Sequence, residues 1–148
     1  MKIYFGTDHA GFDLKEKIKS FLLENGFEVE DCGAFSFDKN DDYPDFIGKV
    51  GEQVSRNNGS YGIVLGKSGV GECIVANKYK GVRAFLAVNE MNVKLAREHN
   101  DANVLSIGSE IISPPEAQKL VKIFLETPFS EEERHVRRIN KIKEIENL

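Results

Sequence analysis

Short apolar runs recur along the chain and are separated by amphipathic stretches. Five of these runs have the length of strands and comprise residues 2–6, 27–32, 61–65, 82–88 and 103–108. The last three are nearly continuous in apolar residues, which is typical of parallel strands, because both faces of a parallel sheet are covered. The run at 27–32, "FEVEDC", alternates apolar and polar side chains instead, as a half-buried strand does. The pattern predicts five strands.

Segments whose apolar residues have helical spacing follow the predicted strands. The apolar positions that repeat at this spacing are Leu14, Ile18, Phe21 and Leu22 between Gly11 and Gly26, and Phe46, Val50 and Val54 between Pro44 and the "NNG" of 57–59. Two further helices are predicted near the end of the chain, at 116–126 after a pair of prolines and at 130–148. Ser130 and Glu133 have the spacing of a capping box for the last one. Strands that alternate with helices predict an α/β fold, with right-handed crossovers and a parallel sheet covered on both faces.

Composition and charge narrow the function classes. A chain of 148 residues fits one domain with one core, and we find no linker or repeat to divide it. The 24 acidic and 20 basic residues argue against nucleic acid as a partner, and no segment is apolar enough for a signal peptide or a membrane span. The two cysteines, Cys32 and Cys73, fit no zinc spacing. We expect a cytoplasmic protein that binds small molecules.

Three segments carry the candidate chemistry, because ligands of open α/β sheets bind beyond the strand ends. The first segment, "GTDHAG" at 6–11, places Asp8 and His9 directly after the first predicted strand. An aspartate in such a turn is also a common helix cap, so a structural role is the alternative.

The second segment is "GKSGVGE" at 66–72, directly after the third predicted strand. Its glycines allow successive N–H groups to point at one anion, but the spacing does not match a Walker loop or a dinucleotide fold. Glu72 could be an ordinary acidic residue in the first turn of a helix. Beside an anion pocket, however, its carboxylate could also remove a proton next to a carbonyl group.

The third segment, "REHNDAN" at 97–103, brings together His99 and Asn100 at the end of a predicted helix. Histidine suits proton transfer near neutral pH, although a histidine at a helix end is also a favourable partner of the helix dipole. Arg134 and Arg138 lie one turn apart near the start of the last helix, where the dipole disfavours cations. They could bind an anion or form a solvated basic face opposite the acidic run at 131–133.

Taken together, five motifs in this order resemble the type B ribose-5-phosphate isomerases, within the group that includes galactose-6-phosphate and allose-6-phosphate isomerases. The motifs are "GTDHAGFDLK", "DYPDF", "GKSGVGECIVANK", "LAREHNDANVLSIG" and "RHVRRINKI", and they span the chain almost from end to end. The resemblance implies a Rossmann-like three-layer sandwich with a five-stranded parallel sheet. It also implies a homodimer or a tetramer with active sites shared between subunits, and aldose–ketose interconversion through an enediolate without metal or other cofactor.

The resemblance also suggests roles for the catalytic positions. Asp8 and His99 match groups that assist opening of the sugar ring, and Asn100 would hold a substrate hydroxyl or the developing oxyanion. Many family members have a catalytic cysteine directly after the third strand, where this chain has Gly66. A subgroup uses a glutamate six residues later, in a "GxSGxGE" loop, and Glu72 matches that position. Cys73 remains the alternative base, with Lys67 as the cation that could activate it.

The binding positions follow in the same way. His9, Arg134 and Arg138 match phosphate-binding positions, and Tyr43 of "DYP" would line the sugar site. The enediolate would be stabilised by the backbone around 67–71, which includes Lys67, Gly69 and Gly71, together with the Ser68 hydroxyl. The chain differs from the usual family pattern at two of these places, with Lys67 in place of a glycine and Glu110 in place of a phosphate-binding arginine.

We therefore expect an isomerase that interconverts ribose 5-phosphate and ribulose 5-phosphate. The differences at Lys67 and Glu110 favour, as an alternative, an isomerase of a hexose phosphate or a modified sugar phosphate. A second alternative is a sugar-phosphate-binding protein that has lost catalysis together with the cysteine.

Overall fold

The computed structural model describes all 148 residues, which form five strands and six helices. The strands are β1 (Lys2–Thr7), β2 (Glu28–Asp31), β3 (Tyr61–Gly66), β4 (Ala84–Leu86) and β5 (Val104–Gly108). The helices are α1 (Phe12–Glu24), α2 (Tyr43–Arg56), α3 (Val70–Ala76), α4 (Glu90–Asn100), α5 (Pro114–Glu126) and α6 (Glu133–Glu146). A 3-10 helix at His9–Gly11 precedes α1. The predicted alternation of strands and helices is confirmed, and no helix has the length and apolar character needed to cross a membrane.

The five strands form one parallel sheet in the order β2-β1-β3-β5-β4. Thr7 of β1 pairs with Leu65 of β3, and Gly66 of β3 pairs with Gly108 of β5, so the carboxyl ends of the three central strands lie level. The edge strand β4 is shorter than predicted. The Asn77 side chain bonds both backbone groups of Ala84, at 2.8 and 3.0 Å, and so protects this edge of the sheet.

Alternate strand residues pack into two apolar clusters, one on each face of the sheet. Ile3, Phe5, Ile63 and Leu65 point to the face that is covered by α1, α4 and α5. Tyr4 and Val64 point to the other face, where α2 and α3 cover them. The period of two is that of any strand, and the result is a three-layer sandwich.

The last helix begins later than the capping-box spacing predicts. Its N-cap is Glu132, whereas the Ser130 hydroxyl accepts from the Glu132 N–H at 3.3 Å and does not reach the helix. Glu131 lies between them with φ of 60°, which turns the chain away from the geometry of a capping box. The predicted capping box is therefore wrong. A capping box does form at the start of α4, between Asn89 and Asn92.

A buried lysine connects α1 to the end of β2. The Lys15 side chain is fully buried, and its Nζ donates to both Asp31 carboxylate oxygens, at 2.9 and 2.8 Å, and to the Ala34 carbonyl. Lys19 and the Gly33 N–H also donate to Asp31, each at 2.8 Å. Burial by itself would raise the pKa of Asp31, but these donors outweigh it and the pKa lies below its ordinary value.

Candidate active site

The ends of β1 and β3 bring the first two candidate segments together. These strands are paired neighbours, so Asp8 and His9 follow β1 beside the loop that follows β3. The contact is close at Gly11, because a Cβ there would overlap the Thr7 hydroxyl and lie 2.8 Å from the Leu65 Cβ. Only glycine permits this approach without movement of the neighbours. The first two candidate segments therefore lie next to each other at the carboxyl ends of the strands.

The loop after β3 presents unpaired backbone donors. The N–H groups of Lys67, Ser68 and Gly69 donate to no atom of the chain, and the first two of these residues are exposed. Gly69 takes a left-handed conformation with φ of 82°, and its carbonyl accepts from the buried Ser106 hydroxyl at 2.6 Å. The Ser106 hydroxyl thus holds the loop at its carbonyl side, while its N–H donors remain unpaired, an arrangement suited to an oxyanion.

Glu72 points back into this loop. A Cβ built on Gly66 would overlap the Glu72 carboxylate, so this carboxylate fills the space that a side chain at position 66 would occupy. The residue is only 4% exposed, and its side-chain oxygens accept from no side chain and from no backbone N–H except that of Glu72 itself. Burial raises the pKa of Glu72, and the negative charge of Asp8 raises it further. A carboxylate in this state is a stronger base than one in water.

The neighbouring thiol is in a different environment. Cys73 is half-buried, and its Sγ lies 3.7 Å from the Asn77 side-chain amide on the same helix. Burial raises the pKa of the Cys73 thiol, and the Glu72 charge raises it further. Activation by Lys67 would require the opposite shift, so the environment favours the protonated thiol.

Tyr43 completes this part of the site. It is the first residue of α2, and its ring lies against the backbone of Gly71, where a Cβ would be 2.6 Å from the ring. Gly71 therefore allows the aromatic ring to close over the start of α3. Lys67 and Tyr43 both remain accessible to a bound molecule.

Asp8 and His9 have separate partners. The Asp8 carboxylate is nearly buried and accepts from the Ala10 N–H at 3.0 Å, so it caps the 3-10 helix, as the structural alternative predicted. The His9 ring is bound by Asp41, whose Oδ1 lies 2.7 Å from Nδ1. The hydrogen bond with Asp41 raises the pKa of His9, which favours the charged imidazolium.

The third candidate segment lies at the other end of the strands from the first two segments. Helix α4 runs from the carboxyl end of β4 back to the amino end of β5, so His99 and Asn100 lie near the amino ends of the strands. Helix α6 packs against α4, and the His99 ring stacks on His135 with centroids 4.3 Å apart and planes 13° apart. Within one chain this segment does not join Asp8 and Glu72.

The two predicted arginines differ in their surroundings. Arg134 is paired with Glu132, whose Oε2 lies 3.2 Å from Nε and 3.1 Å from Nη2. Arg138 is exposed and has no ion pair or hydrogen bond from its guanidinium. Arg134 is thus paired with the acidic run at 131–133, as the alternative of a solvated basic face predicted. The Arg138 guanidinium remains free to bind an anion.

Two residues that contact the predicted site residues were not predicted from the sequence. Asp41 belongs to an acidic stretch that gives no sign of its contact with His9. His135 lies between the predicted phosphate ligands Arg134 and Arg138, and its side chain is only 4% exposed. Its burial involves the stack with His99, which no local sequence pattern indicates. Its Nε2 is 3.1 Å from the Glu132 carboxylate but is not oriented for a hydrogen bond. Burial and the charges of His99 and Arg134 lower the pKa of His135.

One group of side chains has the spacing of a metal site. One ligand atom each from Asp8, His9 and Asp41 lies within 4.8 Å of the others. Hydrogen bonds within the chain already use Asp8 Oδ1, His9 Nδ1 and Asp41 Oδ1. These contacts explain the close spacing of the three side chains.

The fold and the site define a class of protein. At the carboxyl ends of its strands, the parallel sheet carries a loop of unpaired N–H donors and a buried carboxylate that accepts from no other residue. This arrangement suits proton transfer on a small anionic substrate. Comparison with known proteins gives the family, because the family model described as Ribose/Galactose Isomerase matches residues 3–142. The chain belongs to this family.

Individual relatives agree with the family assignment. The chain is 45% identical over 146 residues to the ribose-5-phosphate isomerase B of Mycobacterium leprae, covering 99% of this chain and 90% of the relative. The crystal structure of ribose-5-phosphate isomerase B from Mycoplasma genitalium with bound ribulose-5-phosphate superposes with a TM-score of 0.95 at 43% identity, covering 99% of this chain and 96% of that one. The ribose 5-phosphate isomerase of Thermotoga maritima gives a TM-score of 0.91 at 45% identity, with 97% of each chain covered.

Proposed function

We propose that the chain is a type B ribose-5-phosphate isomerase, which interconverts ribose 5-phosphate and ribulose 5-phosphate through an enediolate. The observation that carries this proposal is the Glu72 carboxylate, which is buried without a partner beside the free N–H groups of the loop after β3. The names of the relatives and the bound ribulose-5-phosphate of the Mycoplasma structure support the same substrate.

Glu72 is the proposed base. It removes the proton from C2 of the open-chain aldose, and the electrons of that C–H bond form the C1–C2 double bond while the carbonyl oxygen becomes an oxyanion. The N–H groups of Lys67, Ser68 and Gly69, with the Ser68 hydroxyl, stabilise this charge. The protonated Glu72 then returns its proton to C1, and transfer of the hydroxyl proton from O2 to O1 completes the ketose. The raised pKa of Glu72 suits both directions.

The remaining predicted residues open the sugar ring and bind the substrate. Asp8 and His99 move protons during ring opening, while Asn100 holds a substrate hydroxyl. Tyr43 and Gly71 line the sugar site. The proposed phosphate ligands are His9, Arg134 and Arg138, and the free guanidinium of Arg138 supports this last assignment.

We further propose a homodimer, or a tetramer built from such dimers, whose active sites are shared. The support is geometric, because Glu72 and His99 lie at opposite ends of the strands of one sheet and can act on one sugar only if a second chain supplies His99. Exposed apolar residues, among them Val70 and Ile74 on α3, offer surface that a second chain could cover. The free cysteines are consistent with a protein that works in the reducing cytoplasm.

The experiment that tests the reaction follows the C2 proton. Purified protein is incubated with ribose 5-phosphate in D₂O, and both ketose formation and deuterium incorporation are measured by NMR. We expect both in the wild-type protein. Binding of ribose 5-phosphate with neither product would instead support a sugar-phosphate-binding protein without catalysis.

A six-carbon substrate is the second candidate. Glu110 is exposed, and its N–H donates to the Lys67 carbonyl at 3.1 Å, so an acidic residue stands next to the proposed oxyanion loop. This charge could select among sugars of different length. A panel of pentose and hexose phosphates, compared by kcat/KM, decides between the candidates, and a hexose phosphate preferred over ribose 5-phosphate would replace the first proposal.

A further inference from the structure

The segment between β2 and α2 binds His9 at two points. Oδ1 of Asp41 accepts from the His9 backbone N–H at 3.1 Å and lies 2.7 Å from Nδ1 of the ring. The Phe37 ring meets the imidazole edge on, with centroids 6.0 Å apart and planes at 86°. With backbone and Nδ1 both held by one oxygen, Nε2 is the ring nitrogen left without a partner in the chain.

Burial and charge fit a protonated imidazole at this place. The Asp41 side chain is 10% exposed against 31% for His9, and Asp41 Oδ2 is buried with no donor. A buried carboxylate oxygen without a donor is costly unless a nearby positive charge compensates it. The other charged groups that act on His9, Asp8 and Asp38, are both negative. The imidazolium is therefore the cation that this acidic group requires.

The position of His9 gives that charge a use. Of the proposed phosphate ligands, His9 alone belongs to the carboxyl edge of the sheet, whereas Arg134 and Arg138 belong to α6. His9 is therefore the side chain among the proposed phosphate ligands that lies on the same side of the site as Glu72.

We propose that Asp41 is a positioning residue for phosphate binding: it fixes the His9 ring through Nδ1 and keeps it charged, so that Nε2–H is directed to the phosphate of the substrate. The proposal rests on the proposed function for the identity of the substrate. It adds a residue that neither the motifs nor the family resemblance assigned.

The first test observes the three histidines of the chain by long-range ¹H–¹⁵N NMR, assigned with single substitutions. In the wild-type protein we expect His9 to titrate at higher pH than a histidine in water, and inorganic phosphate to shift its Nε2 resonance. Asp41→Asn should lower the pH at which His9 titrates and weaken the phosphate response. An unchanged His9 titration in Asp41→Asn, or a His9 Nε2 that does not respond to phosphate, would overturn the proposal.

The second test measures kinetics between pH 7 and 9, where the substrate phosphate remains a dianion. Asp41→Asn should raise KM for ribose 5-phosphate about tenfold at the lower end of this range, where the raised pKa keeps His9 charged in the wild type alone, and should change kcat less than about threefold. The KM effect should shrink as the pH rises, because both imidazoles then become neutral. The KM effect should disappear in a His9→Gln background. Asp42→Asn is the matched control, since Asp42 is exposed and its side chain does not cap α2.

Further outcomes separate this proposal from its rivals. Equal KM effects of Asp41→Asn with and without His9 would indicate a merely structural residue and would contradict the proposal. A loss of wild-type activity in EDTA that Mg²⁺ restores would also overturn it, because an ion would then hold the three side chains. If the wild-type protein does not isomerise ribose 5-phosphate, the proposed function fails, and the NMR titration with inorganic phosphate still decides the role of Asp41.

Discussion

Two carboxylates with little exposure to solvent have opposite environments in this molecule. Asp31 accepts from Lys15, Lys19 and the Gly33 N–H, and its pKa is lowered. Glu72, on α3, is more deeply buried, accepts from no other residue, and its pKa is raised. Both are acids in a low-dielectric interior, and the difference lies in the donors around them. Donors make Asp31 a fixed anion, whereas their absence leaves Glu72 able to exchange a proton.

The contrast between the two acids is tested most directly by removing the basicity of Glu72. Glu72→Gln preserves shape, and we expect turnover to fall by on the order of 10²–10⁴ with little change in KM, because only proton transfer is lost. Steady-state kinetics and exchange of the C2 proton with solvent measure both effects. Exchange that persists in Glu72→Gln would show that the base lies elsewhere.

Removing the main donor to Asp31 should affect stability instead. Lys15→Met leaves a buried carboxylate with fewer partners, and we expect a loss of about 3 kcal/mol in the free energy of unfolding, since breaking a buried pair costs about 3–5 kcal/mol and Lys19 remains. Urea denaturation measures this. Lys17→Met is the control, because Lys17 is exposed on the same helix and should change stability by less than about 0.5 kcal/mol.

The pH dependence of stability should distinguish the two acids by sign. Because the folded pKa of Glu72 is raised, its ionisation opposes folding, and this penalty grows as pH rises from the ordinary glutamate pKa to the folded value. The stability of Glu72→Gln relative to wild type should therefore increase over that range and then stay constant. Thermal unfolding between pH 4 and 8 tests this, and a difference that does not vary with pH would contradict it.

Asp31 should behave in the opposite way. Its folded pKa is lowered, so its stabilising contribution is present above the ordinary aspartate pKa and is lost as pH falls towards the folded value. Asp31→Asn should be destabilised most at neutral pH and should approach wild type in acid. The same unfolding series measures this, and a gap that persists in acid would mean that packing rather than charge is responsible.

The smallest effect is expected at the residue beside the base. Cys73→Ser should keep its turnover within about threefold of wild type, because burial and the Glu72 charge keep the thiol protonated. Loss of proton exchange in Cys73→Ser, with exchange retained in Glu72→Gln, would reverse the assignment of the base.

Most of the fold could be predicted from the sequence, because buried parallel strands consist of nearly continuous apolar runs and amphipathic helices separate these runs. The sequence also placed Asp8 and the loop after β3 at strand ends, but their proximity depends on the pairing of β1 with β3, which the local pattern did not predict. Local pattern could not predict that Glu131 would turn the chain before α6, or that Lys15 would be buried, because both depend on tertiary packing. The contact of Asp41 with His9 spans 32 residues and has no local signature.

The order of elements along the chain does indicate a site shared between subunits, since His99 precedes β5 whereas Asp8 and Glu72 follow their strands. In a shared site each subunit contributes a different half, so two inactive variants should complement each other. In the proposed dimer, Glu72→Gln and His99→Asn chains, each inactive alone, would form mixed dimers in which one site has both native halves and the other has neither. Random mixing of equal amounts should therefore restore about a quarter of the wild-type activity. In a cell whose growth depends on this activity, two defective alleles expressed together would support growth that neither supports alone.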